Sequence, residues 1–100
     1  MARVRLLRRA EADLDHSVAW YEGRSPQAAR RFEDAVTVAL ERIATMPEMY
    51  ALEDDRHRVC RLRRSSYLLV YRYEPADDEV VVIAVAHGSQ DPPPWKSPTR

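Results

Sequence analysis

The sequence predicts an α+β fold, a helical hairpin packed on a small, mainly antiparallel sheet in the order β-α-α-β-β-β with a coil tail. Three observations predict it. The apolar period changes from two to about 3.6 near residue 10. Two amphipathic segments are separated only by the stretch around Gly23 and Ser25, too short for anything but an antiparallel helix pair. Two β-branched and aromatic runs, Tyr67-Leu-Leu-Val-Tyr-Arg-Tyr73 and Glu79-Val-Val-Val-Ile-Ala-Val-Ala-His87, flank Pro75-Ala-Asp-Asp78. There proline fixes φ and the aspartates bond back to the turn, so the runs read as a hairpin.

Residues 2–7 set Arg3 and Arg5 against Val4 and Leu6, the alternation of a half-buried strand. From Ala10 to Glu22, Ala10, Leu14, Val18 and Tyr21 recur at helical spacing with acidic residues early, and Gly23 ends the segment. Ser25-Pro26 supplies an N-cap and a proline at the first helical position. The stripe Ala28, Phe32, Val36, Ala39 or Leu40, and Ile43 then runs until Pro47. Residues 48–57 are acidic and aperiodic and read as a loop, and 58–62 alternates weakly as a strand. Within the first hairpin strand, Tyr67, Leu69, Tyr71 and Tyr73 share one face while Leu68, Val70 and Arg72 share the other.

A chain of 100 residues is expected to form one domain, 1–100, with 88–100 a Pro-rich tail ending near Trp95. The single cysteine, Cys60, leaves no intrachain disulfide and points to a reducing compartment. The basic N-terminus lacks the apolar core of a signal peptide, and no run approaches membrane-spanning length. A soluble, unprocessed, cytoplasmic protein without membrane association is the expectation. Sixteen basic and sixteen acidic side chains cancel, against the balance of a simple nucleic-acid coat. The distribution is uneven: Arg56, His57, Arg58, Arg61, Arg63 and Arg64 crowd together just after Glu53, Asp54 and Asp55. Every basic residue except Lys96 is arginine, which suits bidentate contacts to carboxylate or phosphate and equally follows from a GC-rich genome.

Metal and nucleotide chemistry are not indicated. His16, His57, His87 and Cys60 lack the paired short spacings of a zinc site, and Gly23 and Gly88 cannot make a Gly-rich phosphate loop. No cofactor is expected. Cys60 reads as a small apolar strand residue, and His16 as a solvated residue on the polar side of the first helix. Arg61, Arg63, Arg64 and Arg72 form a candidate cationic patch beside Tyr67, Tyr71 and Tyr73, able to hold phosphate or stabilise a phosphoryl transition state without metal. Against this stands the plainer reading that some of these tyrosines fill the core. His87 leaves a strand at a position where side chains reach a concave surface, and either fixes the tail backbone or moves a proton. Only Tyr21 of the Trp20-Tyr21 pair is in phase with the buried stripe, so Trp20 reads as an exposed partner contact.

The chain resembles the RelE/ParE superfamily of bacterial type II toxin–antitoxin toxins, and its ParE branch more closely. The likeness rests on Ala10-Glu-Ala-Asp-Leu14, Trp20-Tyr21, Ser25-Pro26-x-Ala28-Ala-x-x-Phe32 and Ile43-x-x-x-Pro47. It continues through Arg61, Tyr67 and Tyr71, then Ile83-Ala-Val-Ala-His87 and Pro94-Trp95. The resemblance implies a toxin in a hetero-oligomeric complex with a cognate antitoxin, whose disordered C-terminal segment folds onto it. Trp20, Tyr21 and Phe32 are the expected antitoxin contacts. Characterised ParE-like members act on DNA gyrase, which implies a target-binding inhibitor with Arg61, Arg64, Tyr67, His87 and Trp95 in the contact. RelE-like members cleave mRNA on the ribosome without metal. That alternative assigns Arg61 and Arg72 to the phosphate and His87 to acid–base work. The basic pair usual after this histidine is replaced by Gly88-Ser89-Gln90, a departure from the ribonuclease pattern. A third alternative is a non-toxic member that only binds its antitoxin.

Overall fold

The protein is described by a computed structural model over residues 1–89. Strand β1 (Arg3–Leu6) leads into helices α1 (Arg8–Glu22) and α2 (Pro26–Thr45), followed by strands β2 (Arg58–Arg61), β3 (Tyr67–Glu74) and β4 (Glu79–His87). One four-stranded sheet has the order β1-β4-β3-β2. β1 runs parallel to β4, and the other two pairings are antiparallel. The expected α+β architecture and element order are observed. The Pro-rich tail from residue 90, including Trp95, lies outside the described residues.

Local chemistry explains the helix boundaries. Ser25 Oγ accepts the Ala28 N–H at 3.0 Å with Pro26 at the first helical position. This satisfies one of the four donors a helix start leaves open. Ala29, Phe32, Val36, Ala39, Ile43 and Ala44 are the buried residues of α2. The buried stripe therefore starts at Ala29 and not at Ala28, which sits half-exposed at its margin. α1 begins at Arg8, two residues before the first in-phase apolar position, because the Glu11 amide bonds back to the Leu7 carbonyl at 3.0 Å. α1 also carries polar residues inward. Ser17 is 3% exposed with its hydroxyl donating to the Asp13 carbonyl at 2.8 Å, and the Asp13 carboxylate accepts the Val85 N–H at 3.0 Å. β1 pairs with β4 only as far as Val82. Beyond that point the side chain of Asp13 serves the strand edge that a longer β1 would have served.

Helices and sheet share one core, in which Phe32, Val36, Ala39 and Ile43 meet Leu69, Tyr71, Val80, Val82 and Val85. The β3 alternation read from sequence is observed, with Leu69 and Tyr71 inside and Tyr67 and Tyr73 packed at the margin. β4 does not alternate simply. Val70 stands opposite Ala84 but Tyr71 opposite Val82, so Ile83 is an extra residue. Such a bulge reverses side-chain parity downstream. Val80 and Val82 are followed into the core by Val85 instead of Ala84, and His87 lands on the same face as its partner Tyr67.

Candidate functional site

The candidate site lies at the end of the sheet where the β2–β3 turn meets the exit of β4. The turn is fixed by backbone bonds, Leu62 N–H to the Tyr67 carbonyl at 3.1 Å and Ser65 N–H to the Leu62 carbonyl at 3.3 Å. The Gly88 amide donates to the Ser66 carbonyl at 2.7 Å, tying the turn to the residue after His87. Ser65 Oγ accepts the Tyr67 N–H at 3.0 Å and lies 3.1 Å from the Tyr21 hydroxyl, joining α1 to the turn. Arg64 sits at φ 56, in the left-handed region that costs a non-glycine residue roughly 1 kcal/mol. Backbone strain of this kind concentrates at functional surfaces. Here it belongs to an exposed arginine.

A row of rings leads into this end. Trp20 meets Tyr21 edge-on at 5.0 Å, Tyr21 stacks on Phe32 at 4.7 Å, and Phe32 meets Tyr67 at 5.6 Å. Tyr67 then meets His87 edge-on at 5.1 Å. These spacings match the edge-to-face and offset-stacked geometries that ring quadrupoles favour. Trp20 is 50% exposed with the Arg24 guanidinium 4.4 Å from its ring centre, as the helix phase predicts for an outward-facing residue. His87 Nδ1 accepts the Ser89 N–H at 3.1 Å and lies 2.6 Å from Ser89 Oγ. With Nδ1 accepting from an amide, the proton of the neutral ring is on Nε2.

Between α2 and the turn is a cleft of about 340 Å³ lined by Tyr21, Phe32, Ala35, Val38, Arg31 and Arg64, among others. Two of the three residues expected to contact an antitoxin, Tyr21 and Phe32, thus form its wall, and Trp20 adjoins it through Tyr21.

The remaining sequence-predicted residues are distributed differently. Cys60 is in the core, so alternation turns its neighbour Arg61 to the opposite face, beside Leu68 across the β2–β3 pair. The Arg61 guanidinium Nη1 would lie 3.8 Å from a Cβ placed on Gly88. Arg72 follows core residue Tyr71 and therefore also points away from the helices. It is bound to Glu74 at 2.6 Å, and lies four positions along β3 from Leu68, roughly 13 Å by strand rise. Arg61 and Arg72 thus face away from the helices while Tyr67 and His87 face towards them. Tyr71 belongs to the interior, not to a patch: its hydroxyl donates to the Pro47 carbonyl at 2.7 Å, and burial pushes its pKa up to about 12. Burial likewise raises the Cys60 thiol, in keeping with an apolar strand residue. Trp95 falls outside the described residues.

Sequence reasoning did not single out Ser65, Arg31 or Val38. Ser65 carries no sequence signal beyond its place in a turn. Arg31 and Val38 lie one helical step off the buried stripe, where spacing alone reads as solvent.

The family model of the ParE toxin of the type II toxin–antitoxin system parDE matches residues 4–92. No curated protein matches. Among solved structures, the chromosomal ParDE system from P. aeruginosa superposes with a TM-score of 0.66 at 18% identity, covering 87% of this chain and 96% of that one. The isolated E. coli RelE toxin superposes at 0.59 and 16% identity, over 90% of this chain and 87% of that one. RelBE2 of Mycobacterium tuberculosis, solved as a toxin–antitoxin complex, gives 0.60 and 22%, over 89% and 93%. At these identities the structures establish a shared fold. With the family model spanning the helical hairpin and the whole sheet, the chain belongs to the ParE toxin family of type II toxin–antitoxin systems.

Proposed function

We propose that this toxin acts in the cytoplasm by binding DNA gyrase, without turning over a substrate, and that a cognate antitoxin neutralises it. The observation that carries this reading is the division of the sheet's faces. Of the residues a metal-independent ribonuclease would need, Arg72 stands apart: it points away from the helices, is held by Glu74, and lies well along β3 from the Tyr67–His87 pair. Tyr67, His87 and Arg64 instead share one end of the sheet, an aromatic and cationic surface suited to gripping a protein. The match to the ParE model supports the same branch. Trp95, in the segment that follows, is proposed as a further anchor.

Induced expression of the chain alone tests the proposal. Growth arrest with lost gyrase supercoiling and intact RNA is expected. Cleaved transcripts in arrested cells would overturn it in favour of the ribosome-dependent endoribonuclease. One observation favours that second reading, the approach of the Arg61 guanidinium to Gly88, next in the chain to His87. On that reading His87→Ala abolishes cleavage while Trp95→Ala does not. Soluble, folded protein without arrest would identify a non-toxic member that only binds its antitoxin.

A further inference from the structure

The turn that carries Arg64 has little of its own to hold it. Leu62-Arg-Arg-Ser-Ser66 contains neither glycine nor proline, yet Arg64 stands at φ 56. The bond inside the turn, from the Ser65 amide to the Leu62 carbonyl, is long at 3.3 Å. A backbone in an unfavoured region persists only where its surroundings over-determine it. Those surroundings meet at Ser65 Oγ. It accepts the Tyr67 N–H at 3.0 Å, which closes the step from turn to strand, and it lies 3.1 Å from the Tyr21 hydroxyl. Tyr21 stacks on Phe32 at 4.7 Å against the core, so α1 supplies a rigid post. Among the described residues, this contact is the hydrogen bond that joins a helix to the turn. On its other side the turn is fastened to the exit of β4. The Ser66 carbonyl takes the Gly88 amide at 2.7 Å, and a Cβ at position 88 would stand only 3.1 Å from that oxygen.

We infer that Ser65 is a positioning residue of the target surface: pinned to Tyr21 and to the Tyr67 amide, it holds Arg64 in its left-handed presentation and, through Ser66 and Gly88, fixes the exit of β4 where His87 stands. The inference rests on the proposed gyrase reading and goes beyond it, giving a role to a half-buried side chain that is spent on internal bonds. Without the hydroxyl the turn samples further conformations, and the apparent affinity for the target falls with the fraction that stays competent.

The readout is half-inhibition of gyrase supercoiling by the purified full-length toxin, with a melting temperature for every variant. Ser65→Ala and Tyr21→Phe are each expected to raise the half-inhibitory concentration about five- to tenfold, the population shift that one lost hydrogen bond supplies. Because Tyr21 acts through Ser65, Tyr21→Phe should add less than about twofold in the Ser65→Ala background. Ser65→Thr keeps the oxygen and should stay within about threefold of wild type. Tyr71→Phe is the control: it deletes the interior hydroxyl that serves Pro47, and should lower the melting temperature while potency stays within about twofold of wild type. Potencies of Ser65→Ala and Tyr21→Phe no lower than that of Tyr71→Phe would overturn the inference, as would fully additive losses in the double variant. If Ser65→Ala does not fold, the comparison of Tyr21→Phe with Tyr71→Phe decides. If the wild-type chain leaves supercoiling untouched, the gyrase reading fails, and hydrogen exchange at the Gly88 amide decides the positioning role: faster exchange in Tyr21→Phe than in Tyr71→Phe supports it, and equal exchange overturns it.

Discussion

Tyr71 is fully buried, and its hydroxyl closes the account of the Pro47 carbonyl at the end of α2. Tyr71→Phe leaves that carbonyl without its donor and should cost about 1–2 kcal/mol, read as a lower melting temperature. Its raised pKa gives a signed pH dependence. The neutral phenol is favoured in the folded state, so its contribution is complete below about 10 and is lost as pH rises through the folded value of about 12. Alkaline unfolding of wild type should therefore steepen over that window, and less so for Tyr71→Phe. Asp54 gives the opposite sign. Burial works against its carboxylate, but the amides of Arg56 and His57 and the His57 ring outweigh it and hold its pKa at about 2. The stabilisation is present above about 4 and disappears as pH falls through 2, so Asp54→Asn should flatten the acid limb of an unfolding profile. Asp13 was legible only as part of an Ala-x-x-Asp-Leu motif. Its bond to the Val85 amide depends on a strand far along the chain, and Asp13→Ala should cost about 1–3 kcal/mol with Asp13→Asn recovering much of it.

At the scale of elements, α1 starts two residues before its first in-phase apolar position, whereas the start of α2, the hairpin turn and, to within a residue, the strand limits could be read locally because each is set by neighbours in sequence. The Ser25 cap is such a case, and Ser25→Ala should lower stability by about 1 kcal/mol in thermal unfolding. The bulge at Ile83 could not be read, since Glu79 to His87 contains no glycine or proline to mark it. It comes from matching β4 to β3 and to the core at once, and it places His87 beside Tyr67. The β2–β3 turn offers a test that separates stability from function. Arg64→Gly relieves a left-handed backbone and should raise the melting temperature by a few degrees, about 0.5–1 kcal/mol. Under the proposed function the same change weakens growth arrest, because it removes a contact arginine.

At the scale of the whole molecule, Phe32 joins the helical hairpin to the sheet, touching Tyr21 on one side and Tyr67 on the other. Phe32→Ala should cost about 3–5 kcal/mol, a large share of the roughly 5–15 kcal/mol typical of a domain. Loss of near-ultraviolet ellipticity and a broad unfolding transition are the expected observations. Periodicity, caps and turn chemistry are short-range properties, and from them the sequence alone determined the α+β class, the order of elements and the inward side of each helix. The motifs spaced along it were sufficient to point to the family. That β1 lies parallel beside β4, that Arg72 is held away from His87, and that a cleft opens between α2 and the turn could be read only from the folded chain. Those outcomes depend on strand register and on how the helical hairpin sits over the sheet. Both are fixed by contacts between residues far apart in the chain, which no local pattern encodes.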